Sequence, residues 1–150
     1  MTAPAPAPAR RSASPGGAPV RALRAVLIAA VAVSVVHYAD NVANFADYPE
    51  PESGPAPSQG VIAVSWFAFT AFALAGYLLL RRGRPTAAAA CLAVYSASGL
   101  VGLGHYTVEG ATGMPAWRQA HIIADIACGA AVLALALWLV RRPSHREVHP

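Results

Sequence analysis

His37, Asp40, Asn41 and Asn44 follow one another at i, i+3, i+4 and i+7. In a helix that spacing puts an imidazole, a carboxylate and two amides on a single face. A second pair, His121 and Asp125, is spaced i, i+4, and Cys128 continues its stripe. His105 closes a glycine-rich stretch, Gly99 to Gly104, beside Tyr106. Imidazole with carboxylate is a donor set for a hard or borderline divalent ion, and the absence of a cysteine in the outer half of the spans argues against a thiolate site. The expectation is a mononuclear site for zinc, iron or manganese with His37, Asp40, His105, His121 and Asp125 as ligands. Asn41, Asn44, Ser65 and Tyr95 would orient them. Asp40 or Asp125 would then act as general base on a lipid-like substrate, by way of a metal-activated water.

Two other arrangements use the same residues. In one, Asp40 pairs with His121 and Asp125 with His37, and the crossed pairs staple helices together without any ion. The protein is then a non-catalytic membrane subunit or sensor. In the other, two histidines hold haem b between helices. An open pocket beside the cluster would favour a binding or catalytic site. Closed pairs would favour the staple, and two histidines facing across a slot would favour haem.

The elements that carry these residues are apolar. Of 150 residues 56% are hydrophobic and 12% charged, about half the charged share of a soluble globular chain, which points to membrane. All basic residues are arginine, and alanine, glycine and proline abound, as in a high-GC bacterial genome. The arginines behind the net charge of +4 sit at the ends of apolar runs. They read as topology signals and not as a nucleic-acid surface. Cys91 and Cys128 fall inside apolar runs and read as small buried hydrophobes.

Residues 1–20 form an Ala/Pro-rich stretch expected to be a disordered cytoplasmic tail, and 143–150 a short cytoplasmic tail. Between them, runs at about 22–45, 61–80, 85–104 and 118–140 each have the roughly 20 residues needed to cross a bilayer. Arg21, Arg24, the Arg81–Arg84 cluster, Arg141, Arg142 and Arg146 belong on one side by the positive-inside rule. The fold class is therefore all-α: a four-helix transmembrane bundle of one domain, up-down-up-down, both termini cytoplasmic, in a bacterial inner membrane. Its partners are the lipid bilayer and a lipid-like substrate or a membrane subunit.

Depth supports convergence. Counted from the inner arginines at ~1.5 Å per residue, His37 lies roughly 20 Å up, Asp40 and Asp125 about 24 Å, and His121 and His105 about 30 Å. An imidazole or carboxylate in hydrocarbon costs several kcal/mol unless partnered, so these groups are expected to meet. Tyr38, Trp66, Tyr106 and Trp117 read as interfacial belt residues, and Arg118 as an ordinary helix-end arginine. On helix 2, Ser65, Trp66, Phe69, Thr70 and Ala73 form the expected inward stripe.

His37–Tyr48 with Pro49, Gly99–Tyr106 and Trp117–Asp125 resemble stretches of small four-span integral membrane proteins of actinobacterial type. That resemblance implies the topology and no activity.

Overall fold

The computed structural model describes residues 17–49 and 56–141. The expected tails, with Arg10, Arg11, His145 and His149, lie outside the described residues apart from 17–20, which are already helical. The elements are α1 (Gly17–Ala43), α2 (Gln59–Arg81), α3 (Pro85–Leu100) and α4 (Ala116–Arg141), with short 3-10 helices at Phe45–Asp47, Val101–Thr107 and Ala111–Gly113. The described part is all-α, and four helices are long and apolar enough to cross a membrane: Val20–Ala43, Gln59–Arg81, Pro85–Thr107 and Ala116–Arg141.

Local chemistry sets the boundaries. Ser58 caps α2 by accepting the Val61 N–H on its hydroxyl at 3.4 Å. α2 ends where Gly83 takes φ +69°, a left-handed conformation that glycine adopts without penalty. Pro85 then opens α3, at a position where its missing N–H leaves nothing unsatisfied. α3 was expected to end in a loop at His105. Instead the chain tightens into 3-10 turns from Val101 to Thr107, which carry His105 on an ordered element.

The core runs between the helices as Leu23, Leu27 and Ala30 of α1, Ala73 of α2, Ala89, Leu92 and Tyr95 of α3, and Val132, Ala136 and Leu139 of α4. Each helix packs on the next in sequence, and α1 also packs on α4. The tightest contact joins α3 to α4. A Cβ on Gly99 would stand 2.3 Å from the Asp125 carbonyl oxygen, and one on Gly129 would stand 2.8 Å from that of Ser96. Van der Waals packing between helix backbones is what holds membrane helices together where the hydrophobic effect is absent.

α2 is the exception. Its fully buried residues are Ala73 and Gly76, while Ser65, Trp66, Phe69 and Thr70 of the expected inward stripe are half-buried, with Phe69 packed on the core. Val61, Val64, Phe67 and Phe72 are exposed along that half. Such a face suits lipid and would be a liability in water.

Candidate polar site beside a membrane cavity

Two hydrogen-bonded networks form where the last turns of α1, the 3-10 extension of α3 and the first half of α4 meet. The five residues expected to share one ion divide between them.

The first network is centred on Asp40. Its Oδ1 accepts the Asn44 amide at 2.6 Å. Its Oδ2 accepts the Tyr48 hydroxyl, Arg118 Nε–H at 2.9 Å and His121 Nε2 at 3.2 Å. Arg118 is 4% exposed, and its terminal nitrogens reach the Asp47 carbonyl oxygen at 3.4 Å and carboxylate at 3.3 Å. Its guanidinium carbon also lies 4.7 Å from the Tyr48 ring centre and 5.2 Å from that of Trp117. Burial, and then the donation to Asp40, raise the Tyr48 phenol above its ordinary range. Four donors, one of them a guanidinium, surround the Asp40 carboxylate.

The second network is a line. Asp125, 2% exposed, holds His37 Nδ1 at 2.8 Å. On the far side of that ring, His37 Nε2 faces His105 Nε2 at 3.4 Å. The Asn41 amide nitrogen is 3.3 Å from the same His105 atom. Gly102 makes room here, since a Cβ on it would meet Ile126 at 3.1 Å and the His37 ring at 3.6 Å. The two networks adjoin, with the ring centres of His37 and His121 5.5 Å apart.

The second network opens to a void, and of the first network Tyr48 borders it as well. A cavity of about 510 Å³ lies between α1, α2 and the 3-10 extension of α3. His37, Asn41, Tyr48, Ser65 and His105 are among the polar residues of its wall, and Tyr38, Phe45, Ile62, Phe69 and Val101 are among the apolar ones. The half of α2 that borders it has no fully buried residue. A smaller, almost wholly apolar groove lies along the same two helices, lined by Val35, Val42, Trp66 and Phe67, and Tyr38 borders both spaces.

No family model, curated protein or solved structure matches the chain.

All five expected ligand residues therefore come close together, but not around one point. Among the described residues no group of three or more His, Cys, Asp or Glu side chains is placed to hold a metal ion. The crossed pairs expected of a staple are both present, Asp40 with His121 and Asp125 with His37. Of the expected orienting residues, Asn41 and Asn44 contact the networks. Ser65 bonds its own helix at Ile62 and faces the cavity. Tyr95 is buried in the apolar core instead.

Arg118 and Tyr48 complete the Asp40 network and were not among the expected site residues. Arg118 precedes His121 by three residues, so one helical face carries both, and that spacing is the sequence signal for its role. Tyr38 is no belt residue: it is 8% exposed and donates its hydroxyl to the Ser98 carbonyl at 3.1 Å. Trp66 donates to the Ser34 hydroxyl at 3.1 Å. Among the described residues His121 Nδ1, Tyr106 OH and Thr70 Oγ1 are buried without a hydrogen-bond partner.

Proposed function

We propose that this chain is a multi-pass protein of the bacterial inner membrane whose outward-facing cavity takes up a small, mainly apolar molecule. His37 and His105 hold the polar end of that molecule. The helices alternate in direction, and the arginine-bearing ends and both termini are cytoplasmic. The cavity then lies in the outer half of the bilayer.

The observation that carries this reading is the composition of the cavity wall. Two imidazoles and an amide converge at one place on the mainly apolar wall of a cavity of about 510 Å³. A pre-formed apolar cleft with a few convergent polar groups is the usual form of a small-molecule site. The lipid-like class follows from position: the cavity adjoins the half of α2 that has no buried residue, so its occupant is drawn from, or shared with, the bilayer. The staple reading is favoured for the other half of the cluster, because Asp40 pairs with both Arg118 and His121 and none of the three lines the cavity.

The test uses dodecanoic acid as the probe, with the protein released from doped nanodiscs and weighed by native mass spectrometry. Wild type should carry one retained probe molecule. Ser65→Phe, which fills the cavity from α2, should reduce retention at least tenfold, and His105→Leu, which removes a polar contact, should do the same. Equal retention by wild type and Ser65→Phe would overturn the cavity as the binding site.

A further inference from the structure

The line Asp125–His37–His105 ends in two imidazole nitrogens 3.4 Å apart at the cavity wall. Asp125 is buried with His37 Nδ1 as its hydrogen-bond partner at 2.8 Å. If that nitrogen carries the proton, as a carboxylate partner requires, the neutral ring leaves a lone pair on Nε2. That lone pair points at the Nε2 of His105, 3.4 Å away, where the Asn41 amide also points at 3.3 Å. The contact closes in one of two ways: His105 carries its proton on Nε2 and donates it to His37, or both nitrogens keep their lone pairs and share a cation.

The distance itself names a candidate. A metal ion bonded to two imidazoles at about 2.0–2.1 Å, at a tetrahedral angle, holds their nitrogens about 3.3–3.4 Å apart. We infer that His37 Nε2 and His105 Nε2 are the protein ligands of a single divalent transition-metal ion of the zinc class, seated in the cavity wall. Asp125 is not a ligand but fixes the tautomer and the direction of the His37 ring, as carboxylates do behind metal-bound histidines. Amide oxygen and nitrogen are assigned from their surroundings. With its amide turned over, Asn41 presents an oxygen to the same ion as a third donor. The remaining coordination positions face the cavity, which makes the site an open one of the kind that takes a ligand oxygen and not a closed structural one.

This set differs from the five-ligand expectation in a way that the structure explains. Asp40 and His121 are engaged with Arg118, and an ion beside that guanidinium would be repelled. The donors left over are two imidazoles and an amide. That is fewer than three His, Cys, Asp or Glu groups, which accords with the absence of such a group among the described residues. The same 3.4 Å spacing disfavours haem, whose iron would need the two nitrogens on opposite faces of a macrocycle about 4 Å apart, with a slot between the rings.

The inference rests on reading the His37–His105 end of the network as part of the cavity wall, but the two fail separately. Cobalt(II) alone is the probe, titrated into detergent-purified protein carrying a tag without histidine, with no dodecanoic acid present. The readout is the intense ligand-field absorption that cobalt shows only in a tetrahedral or similarly low-symmetry site, reversed by zinc.

Wild type should bind one cobalt per chain. His37→Gln and His105→Gln should each abolish the absorption, and Asp125→Asn should weaken binding roughly tenfold to a hundredfold. His121→Gln should leave the spectrum unchanged, and so should Ser65→Phe, even though it blocks the amphiphile. Should His37→Gln fail to fold, His105→Gln decides, because its helix content and melting midpoint can be matched to wild type. A cobalt spectrum that survives in His105→Gln, no absorption in folded wild type, or loss through His121→Gln alone would overturn the inference.

Discussion

Asp40 and Arg118 are each more than nine-tenths buried and form an ion pair 2.9 Å long, reinforced by Tyr48, Asn44 and His121. A pair of this kind contributes little relative to a well-packed apolar substitute, but removing one partner leaves the other charge stranded. Arg118→Ala and Asp40→Ala should therefore each destabilise the fold by about 3–5 kcal/mol, measured as a loss of resistance to denaturant in mixed micelles. The double variant Asp40→Leu/Arg118→Met should recover most of that loss. Single variants as stable as wild type would show that the pair does not hold the cluster together. His105 is the opposite case. It is half-buried, on a 3-10 segment, and its ring nitrogen makes only long contacts, so its replacement should disturb ligand binding more than folding.

At the scale of elements, the site depends on how closely α3 approaches α4. Gly99 lies directly against the backbone of Asp125, and Gly129 against that of Ser96 and Leu100. A methyl group on Gly99 cannot be accommodated by a side-chain shift, because the obstructing atom is a carbonyl oxygen 2.3 Å away. Gly99→Ala should thus push α4 outward, move Asp125 from His37, and lower both melting temperature and cobalt affinity. Gly104→Ala, only five residues along, has open space around it and should be neutral in both assays. Matching effects from the two substitutions would mean that helix propensity, and not the close approach, governs this end of the bundle. α2 contributes by what it does not do. Its first half has no fully buried residue, and Ile62, Ser65 and Phe69 there line the cavity.

For the whole molecule, orientation is the property on which the proposal of an outward-facing site depends. Single cysteines at Gly83 and Thr107, in a background with Cys91 and Cys128 changed to serine, give a direct reading in intact cells. A membrane-impermeant maleimide should label Thr107→Cys and should reach Gly83→Cys only after the cells are opened. The reverse pattern would place the cavity on the cytoplasmic side and break the link to the outer leaflet. The charge distribution argues for the first outcome, since Arg81, Arg82 and Arg84 surround Gly83 whereas Thr107 is followed by Glu109.

Four apolar runs of membrane length, their arginine-bearing ends and the shared depth of three histidines and two aspartates were legible in the residues alone. Each depends on a property that adds up along the chain: hydropathy over about 20 residues, charge at a boundary, and a fixed rise per residue. Even the crossed pairing of Asp40 with His121 and Asp125 with His37 could be written down beforehand, because helical period and depth restrict which groups can meet. Tertiary structure decided how that polar set is divided. Arg118 swings inward to Asp40, His37 turns from Asp125 towards His105, and a late 3-10 segment supplies the second imidazole. Those outcomes depend on side-chain direction, on Gly99 and Gly102 admitting a neighbour at close range, and on a first half of α2 that is only half-buried. None of these is a sum along the sequence. Each is fixed by contact between segments up to 88 positions apart.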